Sequence, residues 1–252
     1  MDGISIAIVM FYTNLPKRYK FADSIEAINR KYCEVNKYDF FVYNIIPETL
    51  KNRHPAWCKH FYILKHLVEG QHDYIMWIDA DAFFCNHSIR IEEWIKKASP
   101  KDNIIARDAG HSLQNFYIHL LSKRGLPLIN SGVMIFKTNQ DNIDLLNHIL
   151  YDPLYEPNYS HRRSSNPQTG IVGWDQAAVR DCYRKNIHNM KTNTWICMDL
   201  NLNNNCEPEN LEEYINNGGF IIHLTNFRAQ FKPKNMKTIR KYYEVSYGLT
   251  SV

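Results

Sequence analysis

Two aspartates separated by one small residue are the side chains of this sequence best suited to chemistry. Asp79 and Asp81 follow directly on an apolar run at residues 74–78. Such a run is typical of a strand buried on both faces, and two unpaired carboxylates at its carboxyl end would repel each other and be costly to desolvate. A divalent cation that prefers oxygen ligands, Mg²⁺ or Mn²⁺, removes that cost. The pair therefore predicts a metal site, with a turn that happens to hold two aspartates as the alternative.

The elements that must position these aspartates alternate between strand and helix patterns. The order predicts an α/β fold with a largely parallel sheet, right-handed crossovers and ligands at the carboxyl ends of the strands. The predicted strands are residues 4–11, 38–43, 74–79, 103–106, 133–136 and 220–224. Predicted helices carry apolar faces at Phe21, Ile25, Ile28 and Tyr32 and, from near Pro55, at Trp57, Phe61, Leu64 and Val68. Further helices are predicted over about 111–123, 141–150 and 174–183 and in the basic tail.

Length and composition favour one globular domain over residues 1–252, with 44% hydrophobic and 22% charged residues. A net charge of +4 is too small to indicate nucleic acid but suits an anionic small ligand. The six cysteines form no paired motif, which predicts reduced, mostly buried thiols and a cytosolic setting. No apolar stretch is long enough to span a bilayer, and residues 4–11 are too short for a signal peptide.

Four further clusters each have a structural and a functional interpretation. Lys59 at a helix start could meet a phosphate, but the sequence alone favours a surface lysine beside a buried Trp57. Asn130, Ser131 and Gly132 predict a turn, which would serve equally as a plain turn or as a close backbone approach to a ligand. Asp175 and Gln176 suit either the first turn of a helix or a carbohydrate site. A histidine in an apolar strand, His223, is more often a hydrogen-bonded core residue than a metal ligand.

The order of these clusters resembles retaining glycosyltransferases of the GT-A fold. The similarity is strongest to plant xyloglucan α-1,6-xylosyltransferases and fungal α-1,6-galactosyl- and mannosyltransferases. It covers residues 55–232 and is clearest at Trp57-Cys58-Lys59, Trp77-Ile78-Asp79-Ala80-Asp81 and Asp175-Gln176-Ala177-Ala178. The chain departs from the family pattern after His223, where Leu-Thr-Asn-Phe replaces an early glycine, and at the stretched spacing to Lys232-Pro233.

The resemblance implies a GT-A-like single domain with a nucleotide-binding half at about 1–110 and an acceptor-binding half at about 111–252. It implies that Asp79, Asp81 and His223 hold Mn²⁺, with Mg²⁺ as the alternative, against a nucleotide sugar, expected to be a UDP-sugar. Gln176 is implied beneath the anomeric carbon, beside Asp175. The implied contacts to the nucleotide sugar are Phe11, Tyr12, Thr13, Asn14, Lys59, Ala80, Asp108, Asn130, Ser131, Gly132 and Lys232.

The implied reaction is transfer of a hexose or pentose to a glycan hydroxyl with retention of configuration, because a neutral glutamine suits same-side attack better than a double displacement. The loop at 151–173 is a candidate acceptor contact or lid, with stacking faces at Tyr151, Tyr155, Tyr159 and Trp174.

The competing hypotheses are a metal-dependent phosphohydrolase or nucleotidyltransferase and an inactive glycan-binding relative. Many members of the family are anchored in the Golgi, so the expected location is the cytoplasm for a complete chain and the Golgi lumen for an excised catalytic domain. The oligomeric state stays open.

Overall fold

The computed structural model describes residues 3–13, 21–108, 127–153, 155, 175–204 and 210–224. The strands in this part of the chain are β1 (Ile6–Phe11), β2 (Asp39–Tyr43), β3 (Tyr74–Ile78), β4 (Ala82–Phe84), β5 (Asn103–Arg107), β6 (Ile129–Lys137), β7 (Thr194–Cys197) and β8 (Ile221–His223). The α-helices are α1 (Phe21–Asn36), α2 (Cys58–Glu69), α3 (Ile91–Ala98), α4 (Gln140–Tyr151), α5 (Asp175–Lys185), α6 (Met190–Asn193) and α7 (Leu211–Asn216). Short 3-10 turns lie at Glu48–Leu50, Pro55–Trp57 and Ile187–Asn189.

A central sheet of six strands runs in the order β2-β1-β3-β6-β5-β7. All of its described strands share one direction except β6, which is antiparallel to both of its neighbours. This reversal brings the first residues of β6 to the carboxyl ends of β3 and β5. The register pairs Ile78 with Val133, and the amide of Asp79 continues the pairing by donating to the carbonyl of Gly132 at 2.8 Å. The segment 130–132 therefore lies beside the two aspartates.

Successive side chains along a strand point to opposite faces of the sheet, so apolar strands need cover on both faces. Both faces of the central sheet are covered. On one face Met10 and Ile78 pack in a cluster with Trp94 of α3. On the other face Trp77 packs in a cluster with residues of α2, α4 and α5. Asp79 is two residues beyond Trp77, so its side chain also starts toward the face that α2 covers.

A second, two-stranded sheet pairs β4 with β8 and holds His223 against the aspartates. Its antiparallel register sets Ala82 opposite His223, and the amide of Leu224 donates to the carbonyl of Asp81 at 2.8 Å. The buried amide of Asn29, on α1, fastens β4 from the other side. Asn29 Nδ2 donates to the carbonyl of Ala82 at 3.0 Å, and Asn29 Oδ1 accepts from the amide of Phe84 at 3.1 Å.

The predicted α/β class and mostly parallel sheet are confirmed, whereas several local predictions are wrong. The predicted turn at residues 130–132 is part of β6, which also begins earlier than the predicted strand at 133–136. Val68 is 64% exposed, because the buried face of α2 is centred on Ile63 and Leu67 rather than on a line through Val68. No sequence pattern predicted β4, β7, α3, α6 or α7. The helix predicted over 111–123 and the basic tail lie outside the described residues.

The predicted reduced, buried thiols are confirmed at all five cysteines that the structure describes, which are Cys33, Cys58, Cys85, Cys182 and Cys197. Among the helices of the described segments, none has the length and apolar character needed to cross a bilayer.

Asn29→Ala should destabilise the protein by about 2–4 kcal/mol, because it leaves one donor and one acceptor of β4 buried without partners. Chemical denaturation with linear extrapolation measures the loss. Asn36→Ala is the matched control on the same helix, since Asn36 satisfies carbonyl oxygens but no buried N–H group. An equal loss in both variants would contradict a special role for Asn29.

Candidate active site

Asp79, Asp81 and His223 form a cluster whose ligand atoms all lie within 4.8 Å of one another. His223 Nε2 is 3.2 Å from Asp81 Oδ1 and 3.9 Å from Asp79 Oδ2. Burial lowers the pKa of His223, but the charges of Asp81 and Asp79 outweigh burial and raise the pKa above its ordinary value. The cluster therefore attracts positive charge to one position. Two carboxylates and an imidazole are ligands that suit a divalent cation.

Gly132 provides the space beside this cluster. A Cβ atom at residue 132 would lie 2.2 Å from His223 Cε1 and 2.9 Å from Asp79 Oδ2. Real Cβ atoms do not approach other atoms so closely, so any side chain here would displace two of the candidate ligands, His223 and Asp79. The absence of a side chain at Gly132 and the donor set together fit a metal ion held by Asp79, Asp81 and His223.

The second carboxylate oxygen of Asp79 is held by protein donors. The indole Nε1 of Trp77 donates to Asp79 Oδ1 at 2.6 Å, and Lys59 Nζ donates to the same atom at 3.0 Å. Asp79 Oδ2 faces His223 instead. One oxygen thus fixes the orientation of the carboxylate while the other remains directed at the cluster, which is how a second layer of contacts orients metal ligands.

Lys59 is buried, with 4% of its surface exposed, so the prediction of a surface lysine is wrong. Its Nζ atom lies 3.0 Å from Asp79 Oδ1, 3.2 Å from Asp175 Oδ2 and 3.0 Å from the carbonyl oxygen of Ser131. Burial lowers the pKa of Lys59, but Asp175 and Asp79 outweigh burial and raise it. An ammonium group has three N–H donors, and these oxygen atoms supply enough acceptors to satisfy all three although the group is buried.

Asp175 and Gln176 begin α5, as the sequence predicts, and both contact Ser131 of β6. The Ser131 hydroxyl donates to Asp175 Oδ2 at 2.8 Å, and the Ser131 amide donates to Gln176 Oε1 at 2.9 Å. Burial raises the pKa of Asp175, but Lys59, His60 and Ser131 lower it well below its ordinary value. Asp175 is therefore a permanently charged partner of Lys59 near neutral pH.

Asp108 follows β5 and is 18% exposed at the same edge of the sheet. Arg180, five residues after Asp175 on α5, lies 3.2 Å from the Asp108 carboxylate and also donates to the carbonyl of Ile129 at 2.9 Å. Asn130 accepts from the Gly132 amide at 2.8 Å through its side chain. These contacts bring Asp108 and Asn130 to the edge that carries the two aspartates.

The end of β1 supplies the residues predicted to contact a nucleoside. Phe11 is the last residue of β1 and is buried, and Tyr12 and Thr13 follow it half-buried. The Tyr12 hydroxyl donates to Glu26 at 2.8 Å. Phe11 stacks on Tyr62 with ring centroids 5.8 Å apart, so an aromatic wall lies behind this edge. The structure describes the surroundings of these residues, and their contact with a nucleoside stays a prediction.

Some predicted site residues lie outside the described part of the chain, namely Asn14, Lys232, Tyr159 and Trp174. Tyr155 is described, and its predicted role as a stacking face is wrong. It is fully buried and donates to Asp181 Oδ2 at 3.0 Å. Tyr151 is the last residue of α4 rather than the start of a loop, and it is 52% exposed.

Sequence reasoning missed three residues of this site. No site role was predicted for Trp77 beyond its place in an apolar strand and in a family motif. Residues i and i+2 of a strand share a face, and this spacing indicates that its indole could reach Asp79. Arg180 lies four residues after Gln176 on a helix, the spacing of neighbours on one face. His60 is fully buried, with Nε2 3.6 Å from Asp175 Oδ2, and no sequence signal indicated its place.

The charges of the cluster favour a dication. Asp79, Asp81 and Asp175 contribute three negative charges and Lys59 one positive charge, which leaves −2 when the histidines are neutral. Because Lys59 and Asp175 are buried together, the remaining charge lies on the two more exposed carboxylates. Such a site can bind a divalent cation.

Residues 6–230 match the galactosyl transferase GMA12/MNN10 family. The chain belongs to this family. It is therefore a glycosyltransferase, and the predicted family resemblance is confirmed. No curated protein sequence matches the chain.

Solved structures of glycosyltransferases share the fold of this family member. A glycosyltransferase involved in glycosylation of the major capsid of PBCV-1 is 14% identical and aligns over 96% of this chain and 100% of its own, with a TM-score of 0.60. The galactosyltransferase LgtC, in complex with donor and acceptor sugar analogs, is 12% identical over 98% and 97%, with a TM-score of 0.54. Mouse xyloside xylosyltransferase 1 is 11% identical over 88% and 98%, with a TM-score of 0.50. At these identities the similarity shows the GT-A fold.

Asp175→Asn should lower the free energy of unfolding by about 3 kcal/mol at neutral pH, because it leaves Lys59 buried with one charged partner fewer. The folded-state pKa of Asp175 is lowered, so its contribution is complete above the unfolded value of about 4 and is lost as the pH falls below it. The difference between wild type and variant should therefore shrink as denaturation is repeated from pH 6 toward pH 3.

Glu34→Gln is the control for loss of one carboxylate, because Glu34 is exposed on α1 and forms only a surface ion pair. A difference between wild type and Asp175→Asn that stayed constant over this pH range would contradict the buried pair.

Proposed function

We propose that this glycosyltransferase moves a hexose or pentose from a UDP-sugar to a hydroxyl group of a glycan, with a divalent metal and with retention of anomeric configuration. The proposal rests on the hydrogen bonds and ion pairs that join the acidic cluster to the start of α5. Ser131 and Lys59 connect the acidic cluster to Asp175 and Gln176 through hydrogen bonds of 2.8–3.2 Å. A diphosphate at the cluster would bring its sugar next to Gln176.

Asp79, Asp81 and His223 are the proposed metal ligands, with Mn²⁺ as the expected ion and Mg²⁺ as the alternative. When bound, the ion would stabilise the negative charge that develops on the departing diphosphate. Trp77 and Lys59 orient the Asp79 carboxylate, and the missing side chain of Gly132 keeps the space open. The negative charge of the cluster favours a divalent over a monovalent cation.

Retention is supported by the state of the carboxylates around Gln176. Asp175 is buried and bonded to Lys59 and Ser131, and Asp108 is paired with Arg180, so neither is an available base for an acceptor hydroxyl. In same-side attack the departing phosphate oxygen takes the acceptor proton instead. NMR of the product distinguishes the outcomes: an α-linked product from an α-linked donor agrees with retention, and a β-linked product contradicts it.

The remaining contacts are proposed from their positions. Phe11, Tyr12, Thr13 and Asn14 would hold the nucleoside at the end of β1, where aromatic rings already pack. Asp108 and Asn130 would bind sugar hydroxyls from the same edge, and Lys232 would meet a phosphate. The segment after α4 would contact the acceptor. Lys59 acts in this proposal through Asp79 and Asp175 rather than on a phosphate.

A donor screen tests the function. Wild type with Mn²⁺ should hydrolyse one UDP-sugar slowly without an acceptor, and Asp81→Ala should lose at least about 100-fold of this activity because a metal ligand is gone. Asp199→Ala, at an exposed aspartate after β7, is the control and should match wild type. Chromatography detects the released UDP and free sugar, and the UDP-sugar that yields them is the donor.

The other outcomes separate the competing functions. Cleavage within the diphosphate, giving UMP and a sugar phosphate, would favour a phosphohydrolase. Metal-dependent UDP binding without cleavage, even when a range of glycan acceptors is added, would favour an inactive glycan-binding relative. The absence of both binding and cleavage with every UDP- and GDP-sugar would exclude the proposed function.

Gly132→Ala should weaken Mn²⁺ binding by at least about tenfold, because the new methyl group displaces His223 and Asp79 from their common position. Titration calorimetry measures the affinity, and thermal unfolding without metal controls for general damage. Asp81→Asn gives the reference for loss of a ligand. Metal affinity equal to that of wild type in Gly132→Ala would contradict the assigned site.

A further inference from the structure

Ser131 lies at the centre of the site, buried with 3% of its surface exposed. Every polar atom of the residue is used. Its amide donates to Gln176, its hydroxyl donates to Asp175, and its carbonyl oxygen accepts from Lys59. The residue therefore touches both sides of the site, the helix that carries Gln176 and the lysine that holds Asp79.

The backbone amide of Ser131 decides which way the Gln176 side chain faces. A backbone N–H group can only donate, so the Gln176 atom 2.9 Å away must be the carbonyl oxygen Oε1. The amide nitrogen Nε2 then points away from Ser131, and it has no hydrogen-bond acceptor among the described residues. Gln176 is only half-buried, so part of its side chain is accessible to a ligand at this site.

The hydroxyl group of Ser131 fixes the other end of the arrangement. It has a single proton, which goes to Asp175 Oδ2 at 2.8 Å, and its lone pair accepts from Lys59 Nζ at 3.2 Å. Asp175 is the residue directly before Gln176 on α5. Holding its carboxylate therefore also holds the start of the helix on which Gln176 is carried.

We propose that Ser131 is a positioning residue that turns the Gln176 amide so that its N–H₂ group, and not its carbonyl oxygen, faces the nucleotide sugar. Gln176 then acts as a hydrogen-bond donor to an oxygen of the substrate. Its carbonyl oxygen is engaged by Ser131 and does not attack the anomeric carbon. This inference rests on the proposed function, because it takes the ligand in the cleft to be a nucleotide sugar.

The first test exchanges the group that faces the substrate. In Gln176→Glu one oxygen can keep the bond from the Ser131 amide, while the N–H₂ donor becomes a carboxylate oxygen. Activity should fall about 100-fold at pH 8, since a carboxylate has no proton to donate. Gln176→Met, of similar length and also without a donor, should be about as slow. Wild-type activity in Gln176→Glu, or a sugar bound covalently to residue 176 in the mass spectrum, would overturn the proposal.

The second test removes the hydroxyl. Ser131→Ala keeps the backbone bonds to Gln176 and Lys59 but loses the hydroxyl group's bonds to Asp175 and Lys59. We therefore expect kcat to fall about 10- to 100-fold, while KM for the nucleotide sugar and the Mn²⁺ affinity change less than about threefold. Ser131→Thr restores the hydroxyl and should recover most of kcat. An unchanged kcat, or a fall in Ser131→Ala that Ser131→Thr does not rescue, would contradict a positioning role.

A third measurement needs no substrate. A double-mutant cycle of Ser131→Ala and Asp175→Asn, read by denaturation, should show coupling of about tenfold in the unfolding equilibrium constant. Additive effects would overturn the hydroxyl link even if no nucleotide sugar is ever turned over. If wild type turns over a nucleotide sugar while the Ser131 and Gln176 variants behave like it, the proposed function stands and this inference fails.

Discussion

The buried ammonium group of Lys59 is the interaction on which the arrangement of the site depends. It lies between Asp79, which follows β3, and Asp175, which begins α5, at 3.0 and 3.2 Å. Without it, two carboxylates would face each other in a poorly solvated space, at a cost of several kcal/mol. The lysine therefore allows the carboxylate directed at the metal position and the helix that carries Gln176 to occupy one site.

The reversed direction of β6 explains why this site can form. In a purely parallel sheet the carboxyl ends of neighbouring strands meet at the ligand-binding edge, and each strand contributes only its last residues and the loop that follows. Since β6 is antiparallel to β3 and β5, it contributes its first residues instead. Ser131 and Gly132 thus reach the site from within a hydrogen-bonded strand. A strand holds them more rigidly than a loop would, which suits one residue that positions Gln176 and another that must stay without a side chain.

The candidate metal ligands come from two separate parts of the chain and are joined by the small sheet of β4 and β8. Asp79 and Asp81 precede β4, and His223 ends β8 opposite Ala82. The contacts that hold this small sheet in place, such as those of Asn29 on α1, therefore also set the distance between carboxylates and imidazole. Stability and metal geometry share the same contacts, so substitutions far from the ligands can change metal affinity.

The sequence by itself determined the α/β class, the buried strand before the aspartates, the helix that starts at Asp175 and the family resemblance, because local periodicity and short motifs carry that information. The tertiary structure alone decided the direction of β6, the burial of Lys59 and the partners of Ser131. Each of these depends on residues far apart along the chain, such as Ser131 and Gln176, which are 45 positions apart, or Lys59 and Ser131, which are 72 positions apart. A lysine has the same local pattern on a surface and in a buried ion pair. Only the position of its distant carboxylates distinguishes the two, and the fold sets that position.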